Sequence, residues 1–140
     1  HLVSSCVVID PVREKMLLVD HKRAQRWLPP GGHVEPGEHP LHAAGRELKE
    51  ELGLDLEPTT LSPLFLSISE TTGLAVKHTD VILWYVFFIN SELPLTYDSS
   101  EFHDVRWFCF DELAQVESDP HLLRFVIKFL TLKTDFFKSS

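Results

Sequence analysis

The sequence predicts an α/β domain, a sheet with helices against both of its faces. Three observations carry this. The 140 residues, 44% of them hydrophobic, suit one domain with one continuous core and leave little room for two. The stretch Val81 to Ile89 is apolar on both of its alternating faces, with Ile82, Trp84, Val86 and Phe88 on one and Val81, Leu83, Tyr85 and Phe87 on the other. A strand of that kind is central and covered on both sides. Pro40 to Leu52 changes to a helical period, and a second helical pattern closes the chain.

Taken in order, Val3 to Asp10 and Lys15 to Asp20 are rich in Val, Ile and Leu and are joined at Asp10-Pro11, so they read as two strands of a hairpin. A polar, basic loop from His21 to Arg26 leads into Trp27-Leu28-Pro29-Pro30-Gly31-Gly32, too rich in Pro and Gly for a helix or a central strand, hence a shaped loop. The helix from Pro40 to Leu52 has Pro at its first position, apolar Leu41, Ala44, Leu48 and Leu52, and Gly53 as a left-handed C-terminal cap. Its N-cap falls on His39 in place of Ser, Thr, Asp or Asn, an expected loss of about 1 kcal/mol. Leu61 to Ser69, Val81 to Ile89 and Asp104 to Phe110 read as further strands, and Asp111 to Gln115 as a short helical turn. Pro120 to Leu132 reads as a closing helix with Leu123, Val126, Ile127 and Leu130 facing inward. No repeat or Gly/Ser linker interrupts the chain, so residues 1–140 read as a single domain, with 134–140 as a candidate disordered tail. The Phe136-Phe137 pair in that tail suits docking on this domain, docking on a second copy to give a homodimer, or fraying.

Composition removes several function classes. Twenty-one Asp and Glu against thirteen Lys and Arg give a net charge of −8, which argues against a passive grip on a nucleic-acid polymer. The longest apolar run falls well short of the ~20 residues that span a bilayer, and the first residues lack the cationic region of a secretory signal. Cys6 and Cys109 lie in apolar stretches where a thiol serves as a small buried hydrophobe. The expectation is a cytoplasmic chain, without a membrane partner, in a reducing compartment.

The helix carries a feature that stability does not explain. Each helical residue turns about 100°, so Glu47, Glu50 and Glu51 share one sector beside the apolar stripe. Like charges at this spacing repel by about 0.2–0.5 kcal/mol per pair, and the last turn already presents negative potential. Arg46 is the fixed cation near enough in sequence to offset part of the repulsion. A mobile cation is the remaining partner, and oxygen donors without cysteine favour Mg²⁺, or Mn²⁺, over zinc. For a bare triplet of this kind an ordinary solvated acidic face is the commoner explanation.

The wider context changes the balance. Gly32, Glu38, Arg46, Glu47, Glu50, Glu51 and Gly53, with aliphatic Leu48 and Leu54, match every defined position of the Nudix box, and the chain resembles that family over about 23 residues. The resemblance implies a Nudix-type α/β/α sandwich with a mixed sheet. It implies Glu50 and Glu51 as the main metal ligands, Glu47 as a further ligand or the general base, and the Gly31 carbonyl reaching the same metal. Arg46 would hold a carboxylate of the cluster, and Glu38 would tie the loop to the helix, with an ordinary ion pair as the plain alternative for both. Glu47, Glu101 and Asp104 compete for the role of general base. Glu101 is otherwise a solvated loop residue.

The implied activity is Mg²⁺-dependent pyrophosphohydrolysis of a nucleoside diphosphate linked to a further group X, with nucleoside triphosphates favoured, by in-line attack of water at phosphorus. The partner is then a small-molecule nucleotide or other diphosphate. Two rivals share the fold: a nucleotide-binding sensor without turnover, and a prenyl-diphosphate isomerase, which needs a positioned cysteine. Among the eight histidines, His33, His39 and His42 show no spacing typical of a closed zinc site. Trp27, Phe65, Trp84 and Tyr85 are candidates to stack a nucleobase, with core packing the commoner fate of strand aromatics. The basic residues His21, Lys22, Arg23 and Arg26 suit either outer phosphates or solvent, with solvation favoured.

Overall fold

A computed structural model describes residues 1–70 and 77–138, with side chains through residue 133. Strand β1 (Leu2–Asp10) turns at Asp10 into β2 (Lys15–His21), as the hairpin reading expects. The buried Asp10 carboxylate closes the turn by accepting the Val12 and Arg13 amides, each at 3.0 Å. The hairpin pairs only at Ile9 with Met16 and Asp10 with Lys15, and the two strands then diverge. Into the opening run β3 (Arg26–Leu28), paired with β2, and β4 (Gly31–His33), paired with β1. The segment from Trp27 to Gly32 is therefore partly strand. Pro29 and Pro30, which cannot donate to a ladder, sit between the two three-residue strands, and the Pro30 carbonyl accepts the Cys6 amide at 2.7 Å.

After α1 (Pro40–Leu52) come β5 (Phe65–Glu70), β6 (Thr79–Phe88) and β7 (Phe102–Cys109). β6 runs parallel to β1 from Leu2 opposite Val81 to Ile9 opposite Phe88, while β5 and β7 add antiparallel strands beside β6 and β2. The sheet is thus mixed, with seven strands among the described residues. β5 starts four residues later than the sequence reading, because Thr60 and Ser62 form a turn ahead of Pro63 and leave Leu61 exposed. A 3-10 turn (Phe110–Gln115) and α2 (Leu122–Lys138) close the domain.

Alternation along the central strands builds two cores. Cys6 and Val8 of β1, with Tyr85 and Phe87 of β6, face Ala44, Leu48 and Leu52 of α1. Val7 and Ile9, with Trp84 and Val86, face Leu122, Phe125, Val126 and Phe129 of α2. The expected two-sided cover of β6 holds. The face of α2 differs: Val126 points inward, but Leu123, Ile127 and Leu130 are exposed and Leu122, Phe125 and Phe129 are buried. The aromatic rings decide this, since Phe125 stacks on Trp84 at 5.2 Å and on Phe129 at 6.4 Å, filling the space above the sheet with more apolar area than the leucine stripe offers.

Cys6 is buried and donates to the Ala44 carbonyl at 3.2 Å, whereas Cys109 is only half buried at the start of the 3-10 turn. The α2 backbone continues to Lys138, and the side chains of the Phe136-Phe137 pair lie outside the described residues. No helix among the described residues is long and apolar enough to cross a membrane.

Candidate active site

The glutamate-bearing helix is better capped than its sequence suggests. The His39 ring nitrogen Nδ1 accepts the Leu41 amide at 3.1 Å, doing the work of the missing Ser or Asp side chain. At the other end Gly53 adopts φ 65°, and its amide and that of Leu54 donate to Lys49 and Leu48. The Ser4 hydroxyl donates to the Pro40 carbonyl at 2.7 Å, tying the first turn of α1 to β1. The carboxylates of the last two turns thereby sit beneath β4.

Arg46 organises them. Its guanidinium makes a two-pronged contact with Glu38 at 2.8 and 3.0 Å and also donates to Glu47 at 3.0 Å, Glu50 at 3.3 Å and the His33 carbonyl at 3.2 Å. Glu38 in turn accepts the Glu35 amide at 3.0 Å, and the Arg46 bonds hold its carboxyl down at about 2. One cation therefore latches the loop, the β4 backbone and two carboxylates of the cluster.

Glu51 is 5% exposed and accepts the Gly31 amide at 3.1 Å. Burial pushes its carboxyl up to about 9, the adjacent Glu47 charge adds to this, and the Gly31 amide opposes it. Glu47 is raised by burial against the pull of Arg46, with Glu50 and Glu101 adding to the rise. Glu101 is brought to the same place: its carboxyl hydrogen-bonds with Glu51 and is raised by burial and by the charges of Asp98 and Glu50. The loop that carries it is fixed by the Asp98 amide on the Glu51 carbonyl at 3.0 Å and by the Lys22 amide on the Glu101 carbonyl at 3.0 Å. Glu50 is 58% exposed, its Oε2 held by Arg46. Asp104 is directed elsewhere, capping its own strand at the Val105 amide and facing Arg106 at 3.5 Å.

Two glycines permit this proximity. A Cβ on Gly31, at φ 153°, would meet the Ser4 carbonyl oxygen at 2.2 Å, and a Cβ on Gly32 would meet Glu47 Oε1 at 2.4 Å. The residues fit a divalent cation: hard oxygen donors crowded with one arginine, each buried carboxyl resisting ionisation until positive charge arrives, and a side-chain-free backbone above them.

Glu47, Glu51 and Glu101, with Arg46, line a cleft of about 830 Å³, and Glu50 is not among its lining residues. His21, Lys22, Arg23 and Arg26 line it too, so the basic loop borders the cleft and is not simply solvated. The four aromatic candidates serve the core: Trp84 and Tyr85 are buried, Phe65 meets Trp84 edge-on at 5.5 Å, and Trp27 packs edge-on against Phe108 at 5.2 Å. Sequence reasoning missed Asp119, which lines the cleft, accepts the His121 amide at 2.7 Å and is raised by burial. Its signal was the Asp-Pro dipeptide ahead of the closing helix. His78 and Asp80 were also missed, since nothing local marks the start of β6 as part of a cleft.

Fold and cleft together define an α/β domain that presents a carboxylate cluster and a basic wall to one ligand space. A profile of the NUDIX domain matches residues 1–129, and the chain belongs to the Nudix family. It is 34% identical over 110 residues to the zebrafish (Danio rerio) m7GpppN-mRNA hydrolase NUDT17, a match covering 70% of this chain and 36% of that protein. It is 31% identical over 103 residues to the pig (Sus scrofa) asymmetrical bis(5'-nucleosyl)-tetraphosphatase, covering 74% of this chain and 69% of that protein. The chain thus spans about a third of the zebrafish relative. Among solved structures, a C. elegans Ap4A hydrolase binary complex superposes with a TM-score of 0.71 at 17% identity, covering 95% of this chain and 98% of that one. A NUDIX-family hydrolase from Clostridium perfringens gives 0.70 at 21%, covering 96% and 97%. These structural likenesses establish the mixed α/β/α fold.

Proposed function

We propose that the chain is a Mg²⁺-dependent pyrophosphohydrolase that cleaves a nucleoside diphosphate linked to a further group X, with nucleoside triphosphates as leading substrates. The observation that carries this is the meeting of Glu47, Glu51 and Glu101 under Gly31 and Gly32, with Arg46 bridging Glu38, Glu47 and Glu50. Glu47, Glu50, Glu51 and the Gly31 carbonyl would hold the divalent ion, Mg²⁺ or Mn²⁺. When bound, the ion supplies positive charge against the diphosphate and makes an attacking water more acidic.

The chain's own residues do the rest. Arg46 keeps Glu47 and Glu50 from swinging apart. Glu47 and Glu101 both carry carboxyls raised by burial, a shift in the direction that suits a general base. Asp104 is the weaker contender, being engaged with its own strand and Arg106. Lys22, Arg23 and Arg26, which line the same cleft, would meet the outer phosphates of the substrate.

A second reading within the same chemistry has specific support. The cleft's volume of about 830 Å³, its basic wall and the likeness to a bis(5'-nucleosyl)-tetraphosphatase favour a dinucleoside polyphosphate alongside triphosphates. The prenyl isomerase alternative loses ground, because neither Cys6 nor Cys109 is among the residues lining the cleft. The two free thiols support a reducing, cytoplasmic setting.

The test is a Mg²⁺-supported hydrolysis panel of triphosphates, dinucleoside polyphosphates, sugar nucleotides and prenyl diphosphates, read by phosphate and pyrophosphate release. Glu50→Gln and Glu51→Gln should each lose roughly 10²-fold or more in rate while keeping the fold. Absence of turnover with tight nucleotide binding would favour the sensor, and full turnover in both variants would overturn the site.

A further inference from the structure

Three imidazoles remote in sequence converge at one corner of the sheet. His1 precedes β1, His33 ends β4 and His78 precedes β6, and β1 lies between the other two strands. Register fixes the corner: Val3 pairs with His33, Leu2 pairs with Val81, and the Val81 amide donates to the His1 carbonyl at 2.8 Å. Ring centroids are 5.0 Å apart for His1 and His33, 4.2 Å for His1 and His78, and 5.9 Å for His33 and His78. One ring nitrogen from each lies within 4.8 Å of the other two.

We propose that His1, His33 and His78 form a site for a borderline transition cation of the Zn²⁺ class, separate from the carboxylate cluster. Zinc–imidazole bonds of about 2.0–2.1 Å place tetrahedral ligand nitrogens roughly 3.4 Å apart. His1 and His33 are exposed, so rotation about their side-chain bonds would supply the remaining approach. An all-imidazole donor set prefers Zn²⁺, Co²⁺, Ni²⁺ or Cu²⁺ and does not suit Mg²⁺. Asp80 Oδ1 lies 3.0 Å from His78 Nε2, so His78 would ligate through Nδ1 with a carboxylate beside its other ring nitrogen, the arrangement metal-ligating histidines favour. Three protein ligands leave a fourth position for water.

The ion would pin β4 to β1 and β6 at the point where the His33 carbonyl accepts Arg46. It would thus stiffen the strand that carries Gly31 and Gly32 over the glutamates. The ligand is the His1 ring, so the site does not depend on the α-amino group, which donates to the Thr79 carbonyl.

The untagged chain is titrated with Zn²⁺ by calorimetry, and with Co²⁺ by visible spectroscopy, in excess Mg²⁺ to saturate the carboxylates. The expected result is one Zn²⁺ per chain, a rise in Tm, and the intense visible bands of low-coordinate Co²⁺. His33→Asn and His78→Asn should each weaken binding by at least about tenfold, and Glu51→Gln should not. Circular dichroism checks the fold of each variant, and His33→Asn, at an exposed side chain, decides alone if His78→Asn unfolds. Undiminished binding in His33→Asn, or weak octahedral Co²⁺ bands abolished by Glu51→Gln, overturns the proposal.

Discussion

Adjacent glycines above the glutamates should fail in opposite ways when a methyl group is added. In Gly32→Ala the new Cβ would stand 2.4 Å from Glu47 Oε1 and 2.5 Å from its Cδ, where ordinary contact begins at 3.4 Å. The carboxylate must retreat by about 1 Å. It ends a flexible side chain, so the fold can absorb the change, but with Glu47 in the role proposed above a displacement of that size should cost on the order of 10²-fold in rate, about 3 kcal/mol of transition-state stabilisation. In Gly31→Ala the Cβ meets the β1 backbone instead, 2.2 Å from the Ser4 carbonyl oxygen, and φ 153° strains any L side chain. There the loss should fall on stability, about 3 kcal/mol or more, with a marked fall in Tm. Steady-state kcat/KM on a hydrolysable nucleotide and thermal unfolding of both variants separate the two effects. A Gly32→Ala protein with wild-type kcat/KM, or one that unfolds as readily as Gly31→Ala, would refute the placement of Glu47 against β4.

Three further outcomes follow from the same geometry. Glu51 titrates near 9 in the fold against an ordinary value of about 4.5, so the folded state holds the extra proton between those limits. Metal-free stability should fall as pH rises through that window, by up to about 1.4 kcal/mol per pH unit shared across the cluster, and Mg²⁺ binding near pH 8 should release a proton. Calorimetry in buffers of different ionisation enthalpy detects that proton, and its absence with a flat stability profile contradicts the burial of this carboxyl. Arg46→Lys retains the charge but not the fork that grips Glu38 while reaching Glu47, Glu50 and the His33 carbonyl, so kcat should fall by about tenfold or more with a modest loss of Tm. Phe125→Ala should cost about 3–5 kcal/mol in urea unfolding, whereas Ile127→Ala, 67% exposed, should stay within about 0.5 kcal/mol; equal effects would restore the leucine-stripe face of α2.

What was legible in the sequence was local. Glu47, Glu50 and Glu51 share a face because helical spacing over four residues is set by the backbone alone, and Gly53 ends that helix because it adopts the left-handed conformation. The hairpin at Asp10 and the doubly covered β6 were legible for the same reason. The inward face of α2 was not, since both Leu and Phe stripes have helical period and only contact with Trp84 selects between them. The N-cap position at His39 was legible, but its side chain as the capping acceptor was not, because an imidazole nitrogen is an unusual cap acceptor. The basic loop's position on the cleft, Asp119, and the His1, His33 and His78 corner depend on which strands lie side by side, which no local window contains.

The most direct measurement is Mn²⁺ binding followed by electron paramagnetic resonance, with and without a nonhydrolysable nucleotide analogue, in the native chain and in Glu51→Gln. The native chain should take up Mn²⁺, hold it more tightly with the analogue present, and lose at least about tenfold in affinity when Glu51 becomes neutral. Equal Mn²⁺ affinity in both proteins, unaffected by the analogue, would contradict the claim that these glutamates exist to hold a cation against a diphosphate.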